Sequence, residues 1–390
     1  MVDTKLPLVQ VPIVDYGADE SDMVAYRERG TARALELDNR GPIRFGVDGR
    51  LHPEIMDSYS RNGFYVFTDV LEEQELKEIE ADVAAMLERS PVTKDAEVDK
   101  NGNPALGAGL KARNISWVRP LSDPLGGTDA SYGRHEAKMN EPAPPAEAPD
   151  HVVQLFLGSL QFSDACLRLY GHPELLKVAE AVNGPDFTPF NEAVWVKQPG
   201  LGGSVAWHQD GWTHWDSPEL DDHTHGFNFM AQLYGCDATN GLWVVPGSNR
   251  MGKVNIKKMV EEAGSDRLPQ AVPMICDPGD VAMTSRQAIH GSFANTSSKV
   301  RVTINFGFHR RSSVLGIRSG GVHNPISEYD EEYIFERSKA IAWGIDARSQ
   351  HFPNEDRYVY EPFRGLEDHF IWSDETKSHL RDYNLRDIGI

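Results

Sequence analysis

The sequence is poor in cysteine, poor in positive charge and without a long apolar run, and each shortage argues against a class of protein. Cysteine occurs three times, as Cys166, Cys236 and Cys276, at wide spacing. That builds neither a disulfide framework nor a zinc knuckle, so the three read as small buried hydrophobes. Lys and Arg number 39 against 59 Asp and Glu, a formal net charge of 39 − 59 = −20. An acidic surface repels phosphate backbones and anionic lipid, so neither nucleic acid nor a membrane is an expected partner. No apolar stretch approaches the roughly 20 residues of a membrane helix. The opening "MVDTKLPLVQVPIVDYG" lacks a basic start followed by an apolar core, and a cytoplasmic protein is the expectation. The composition, 40% hydrophobic and 25% charged over 390 residues, is globular and admits one large domain or two ordinary ones.

What is present changes character along the chain. Residues 1–55 are mixed and weakly periodic. "FYVF" (64–67) reads as a strand, and from Glu72 the apolar residues Leu76, Ile79, Val83 and Leu87 recur at helical steps. Residues 91–150 are rich in Gly and Pro, with four prolines in "NEPAPPAEAPD" (140–150). They read as a solvated loop or as a lid over a site. "HPELLKVAEAVNG" (172–184) predicts a helix with Pro173 in its first turn and Gly184 at its end. From 187 to 312 six short strand candidates follow, in "FNEAVWVKQPG", "GSVAWHQDG", "HGFNFMAQLYG", "GLWVVPGSN", "GDVAMTS" and "VRVTINFGF". Short strands at regular spacing predict a sandwich or barrel. The tail, 318–390, reads as irregular structure plus a helix at about 327–343, and there are no internal repeats.

His-x-Asp occurs twice in "AWHQDGWTHWDSPE" (206–219). Alternation in a strand puts residues i and i+2 on one face, so either pair can hold a metal. His208 and Asp210 follow the strand-like "SVAW", whereas His214 and Asp216 run into the turn chemistry of Ser217-Pro218-Glu219, which favours the first pair. Redox iron commonly takes two His and one carboxylate with positions left open, and His290, after the strand at 281–284, is the available third ligand. In "VRVTINFGFH" alternation places Arg301, Thr303, Asn305 and His309 on one face and Val300, Val302, Ile304, Phe306 and Phe308 on the other. The apolar face must pack under helices. The arginine then lines a cavity, where it asks for a carboxylate.

In this order, His208-x-Asp210, "NGLWVVPGSN" (240–249), "PGD" (278–280) and "HGSFANTSSKVR" (290–301) resemble the phytanoyl-CoA dioxygenase family of Fe(II)- and 2-oxoglutarate-dependent oxygenases. "NGFYVFTDVLEEQELKEIEADV" is similar to that family's opening strand and helix. The resemblance covers roughly 58–90 and 187–312. It implies a mainly β fold with flanking helices around a double-stranded β-helix (jelly roll, cupin-like) core. It also implies a single oxygenase domain over 1–390, with 58–90 as N-terminal strand and helix, 91–150 as loop or lid insertion, 187–312 as core and 313–390 as C-terminal extension.

Carried over by motif, His208, Asp210 and His290 hold Fe(II), and Arg301, helped by Ser292, holds the far carboxylate of 2-oxoglutarate. Dioxygen is the third reactant. The resemblance implies hydroxylation of a small molecule, with 2-oxoglutarate going to succinate and CO2. Asp210 favours that outcome over halogenation, which relatives carry out with a small residue at this position. Desaturation, epoxidation or rearrangement would use the same ligands. Asn191, Lys197 and Gln232 are further candidates for the 2-oxoglutarate site. Trp212, His214, His309 and Arg310 are candidates for contact with substrate, each set against an ordinary packing or strand-end role. His214, His223 and His225 lie close in sequence, but exposed histidines cluster by chance. Two rival readings are a cupin-like metal isomerase or hydrolase, which has no use for Arg301, and a non-catalytic binding protein. A small-molecule substrate is the expected partner, and a homodimer is among the oligomeric states the sequence admits.

Overall fold

The structure, a computed structural model, describes residues 6–211, 213–320 and 324–389, with Ser131 as backbone only. Its strands are β1 (Arg40–Gly41), β2 (Phe64–Phe67), β3 (Ile115–Val118), β4 (Val152–Leu157), β5 (Phe187–Lys197), β6 (Val205–His208), β7 (Phe227–Gln232), β8 (Trp243–Val244), β9 (Val272–Pro273), β10 (Val281–Ser285), β11 (His290–Ser292) and β12 (Arg301–Arg310), before a two-stranded ribbon near 320. They form an eight-stranded sheet, β1-β2-β10-β7-β12-β5-β4-β3, and a four-stranded sheet, β6-β11-β8-β9. Apart from the parallel pair β1–β2, the ladders are antiparallel. This is a mainly β core with flanking helices, the two-sheet plan of a double-stranded β-helix. The sheets do not close into a barrel.

Alternation fixes which way each strand faces. Val300, Val302, Ile304, Phe306 and Phe308 enter the main apolar core, as the sequence predicts. There they meet Ile79 and Val83 of the helix Glu73–Glu88, Leu167 and Tyr170 of Asp164–Tyr170, Leu176 of Pro173–Asn183 and Ile341 of Glu331–His351. Each large side chain buried this way contributes about 2 kcal/mol of transfer free energy. The helices can lie close because two glycines meet at their crossing. A Cβ on Gly171 would fall 2.1 Å from the carbonyl carbon of Gly344.

A second core covers the outer face of the small sheet. Met23 and Tyr26 from the helix Glu20–Glu36 pack there with Trp207, Trp243 and Phe293, and Tyr26 stacks on Trp243 at 4.5 Å. Trp207 points into this core, so His208, its neighbour in β6, faces the space between the sheets.

Three stretches are more ordered than the sequence suggests. The weakly periodic N-terminal region contains the 17-residue helix Glu20–Glu36. The 91–150 segment contributes β3 to the large sheet, where it pairs with β4. The tail helix runs from Glu331 to His351, past the expected end. Among the described residues no helix is long and apolar enough to cross a membrane.

Candidate metal centre

His208 ends β6 and His290 begins β11, and the two are direct partners in the antiparallel ladder. Asp210 lies two residues beyond His208, its loop fixed by a 2.9 Å bond from its N–H to the Arg286 carbonyl. His208 Nε2 is 3.7 Å from Asp210 Oδ1, His290 Nε2 is 4.0 Å from Asp210 Oδ2, and one ligand atom from each residue falls within 4.8 Å of the others. All three are buried. His208 Nδ1 lies 2.8 Å from the Ala206 carbonyl and His290 Nδ1 3.0 Å from that of Ala288. A carbonyl only accepts, so Nδ1 carries the proton and Nε2 keeps its lone pair for a metal. Among the described residues this is the one such cluster, and it can hold iron.

The electrostatics favour the ligand forms. Burial alone would raise the Asp210 carboxyl, but Arg286 and Arg134 beside it hold it far below the usual carboxylate range. Arg134 Nη1 donates to Oδ1 at 2.8 Å, and Arg286 Nε lies 3.6 Å from Oδ2. Arg286 is itself held by His309 Nε2, 2.9 Å from its Nη1, and by the Phe190 ring, 3.9 Å from its Cζ. Burial, then the neighbouring imidazoles, keeps His208 neutral well below its ordinary pKa.

The facing sheet carries two cations. Arg301 of β12 is the register partner of Lys197 of β5. Arg301 donates to the Asn240 carbonyl at 3.0 Å, and its buried Nε has no partner. Lys197 Nζ donates to Ser292 Oγ at 2.9 Å and to the Phe293 carbonyl, joining the two sheets. Neither cation has an ion-pair partner among the described residues. Burial, then Arg301, pushes Lys197 well below its ordinary pKa. Gln232 Oε1 accepts from Thr303 two residues along β12 from Arg301, at 2.9 Å.

Other predicted residues stand elsewhere. Asn191 falls where the β5–β12 register slips. There Phe190, of the opposite parity, reaches Arg286 and His309. Strict alternation therefore does not place Asn191 beside Lys197. His214 is buried and bonds the Ser313 carbonyl at 2.6 Å, with its ring stacked 6.2 Å from His309. His309 faces Arg286 rather than open space. Arg310 is held at the surface by both oxygens of Asp221. His214, His223 and His225 form no metal-binding group. Trp212 lies outside the described residues.

Four residues at the centre escape sequence reasoning. Arg134 and His135 come from the Gly- and Pro-rich segment, where no periodicity marks them. The His135 ring stacks on His208 at 4.3 Å, and burial, then Arg134, lowers its pKa to about 3. Asp123 fastens this segment, accepting from the Ala206 N–H at 2.7 Å, immediately before Trp207 and His208. Arg286 had a signal, since it stands four residues before His290 in "SRQAIHG".

The family model of phytanoyl-CoA dioxygenase (PhyH) matches residues 59–303. The chain belongs to that family. Within the wider set of relatives, an L-proline trans-4-hydroxylase of Streptomyces griseoviridis is 27% identical over 157 residues, 39% of this chain and 58% of the relative. The PhyH chain thus spans under two thirds of that protein's length. Among solved structures, EctD from S. alaskensis with 2-oxoglutarate and 5-hydroxyectoine aligns with 18% identity and a TM-score of 0.48, covering 70% of this chain and 81% of that one. EvdMO1 aligns with 20% identity and a TM-score of 0.44 over 65% and 48%. The epimerase SnoN from nogalamycin biosynthesis aligns with 16% identity and a TM-score of 0.41 over 64% and 80%.

Proposed function

We propose that this PhyH-family protein is an Fe(II)- and 2-oxoglutarate-dependent dioxygenase that hydroxylates a small molecule. The observation that carries the reading is the pairing of two features across one chamber. On one sheet two imidazoles and a carboxylate converge, and on the other two buried cations lie side by side without an anion. The first set suits iron and the second suits the far carboxylate of a dicarboxylate. His208, Asp210 and His290 would hold the metal. Arg301 and Lys197 would hold 2-oxoglutarate, with Ser292 between them and the metal sheet and Gln232 alongside.

With iron, 2-oxoglutarate and dioxygen bound, the centre supplies oxidative decarboxylation to succinate and CO2 and transfer of one oxygen atom to a substrate C–H bond. The chain supplies position and dryness. The two Nδ1–carbonyl bonds lock the imidazoles in the metal-binding tautomer. A carboxylate arriving at Arg301 favours the charged form of Lys197, so the second cation strengthens as the ligand binds. His135, stacked on His208, covers one side of the metal face and limits the entry of water. The proline hydroxylase relative supports an amino-acid-sized substrate, and the acidic surface speaks against a nucleic acid partner.

The test is 2-oxoglutarate binding to Mn(II)-loaded protein by calorimetry, followed by succinate release with Fe(II), oxygen and a library of small molecules. Wild type binds and turns over. His208→Ala binds no metal and makes no succinate. Arg301→Ala weakens 2-oxoglutarate by about 30-fold, the loss of one charge-assisted anchor of roughly 2 kcal/mol. Wild type that binds Mn(II) but ignores 2-oxoglutarate would end the reading.

A further inference from the structure

Two guanidinium groups share the single carboxylate of the metal centre, and they are not held alike. Arg286 has His309 and the Phe190 ring as further partners. Arg134 has Asp210 alone among the described residues, and its Nε is buried without a partner. A metal ion that takes Asp210 competes for the only bond Arg134 makes. Beside it, His135 lies flat on His208 with neither buried ring nitrogen bonded, an unfilled donor and an unfilled acceptor at the same place.

The charges also fail to balance. In and around the chamber Arg134, Arg286 and Arg301 stand against Asp210 and Asp123, three cations to two carboxylates. The count takes the guanidinium groups alone; Lys197, which a carboxylate at Arg301 draws toward its charged form, only enlarges the excess. A dication and the 2-oxoglutarate dianion cancel, leaving one positive charge without a partner. Charge left unpaired in a buried site is costly, and a ligand that supplies the opposite sign removes that cost.

We propose that Arg134 is the substrate anchor: once the metal claims Asp210, its guanidinium binds a carboxylate on a small-molecule substrate, with His135 as a second polar contact. The inference rests on the dioxygenase reading and names the class of substrate it takes. In the metal-free protein the same arginine caps the site through Asp210 Oδ1, and a metal that draws charge from that carboxylate weakens the bond. Substrates then carry an anionic group at fixed distance from the carbon that is oxidised, and neutral analogues of the same shape are rejected.

The experiment uses the whole protein with Mn(II) and 2-oxoglutarate, and acetate and acetamide as matched anionic and neutral probes. Mn(II) broadens the methyl proton signal of any molecule held beside it. In wild type the acetate signal broadens well beyond that of acetamide. Arg134→Gln removes the difference, and Arg134→Lys, which keeps the charge, retains part of it. In the absence of probes, Arg134→Gln binds Mn(II) about tenfold tighter, the worth of one charge-assisted pair no longer competing for Asp210, and binds 2-oxoglutarate as wild type does. Equal broadening by acetate and acetamide in wild type, or acetate broadening that survives Arg134→Gln, overturns the proposal. So does Mn(II) affinity unchanged or weakened in that variant. Failure of wild type to bind Mn(II) and 2-oxoglutarate together is a separate outcome, and it overturns the dioxygenase reading with it.

Discussion

Single residues at the centre divide into those whose position the chain announces and those it does not. His208 and Arg301 are legible because strand alternation fixes their side, and Asp210 and His290 because they follow strands that carry them to the same place. Asn191 is misread because one extra residue in β5 reverses the parity beyond it. Arg134 and His135 are silent because their place depends on how a loop is fastened, not on its own pattern. Another residue of β5, Glu192, faces away from the chamber into the main core, where Ser159 and Tyr383 hydroxyls lie on its oxygens. Burial raises its pKa from 4.5 to about 8. The unfolded chain therefore loses this proton at lower pH than the folded one. Its contribution is whole below 4.5 and declines as pH rises toward about 8. Glu192→Gln, which copies the protonated form, should flatten that decline. Urea midpoints that fall in parallel for wild type and variant between about pH 5 and pH 8 would disprove it.

At the scale of elements, the strands with clean alternation and the helices with large apolar residues at helical steps are the legible ones. Glu73–Glu88 and Pro173–Asn183 lie where their spacing puts them. Glu20–Glu36 escapes notice because half of its buried face is Gly30 and Ala34. Its packing surface is an absence of side chain, and a Cβ on Gly30 would meet the Trp243 ring at 2.6 Å. The same device operates where Gly171 meets Gly344. With φ of −93°, Gly171 has a backbone open to any residue, so the cost of a side chain there is steric alone. Gly171→Ala should lower stability toward the upper end of the roughly 1–3 kcal/mol typical of overpacking, by prying Asp164–Tyr170 from Glu331–His351. A thermal or urea unfolding curve superimposable on wild type would show that the crossing is looser than it looks.

The whole molecule is held shut by its tail. Arg337 and Asp387 form a 2.8 Å ion pair in which both side chains are wholly buried, and Arg337 also bonds the Phe190 carbonyl of β5 at 2.9 Å. The tail is thereby tied to the strand whose far end carries Lys197. Nothing in the sequence announces a pairing of residues 50 apart, Arg337 on the helix Glu331–His351 and Asp387 in the irregular tail. Asp387→Ala strands a buried guanidinium and should cost about 3–5 kcal/mol. Double replacement of the pair by apolar residues of similar size should recover much of that loss in the same unfolding measurement.

Residues 119–151 run from β3 to β4, adjacent antiparallel strands at the rim of the large sheet. Both feet of this flap are pinned side by side whether or not its crest is docked. Undocking therefore changes no ring size, and no loop-closure entropy enters its balance. Its clasps include Leu121 to Leu201, Asp123 to Ala206, Asn140 to Asp266 and Asp19, Glu141 to Ser204, and Arg134 to the metal carboxylate. On the proposal above, the last of these is the clasp that a metal on Asp210 contests, so filling the centre and fastening its cover draw on the same carboxylate.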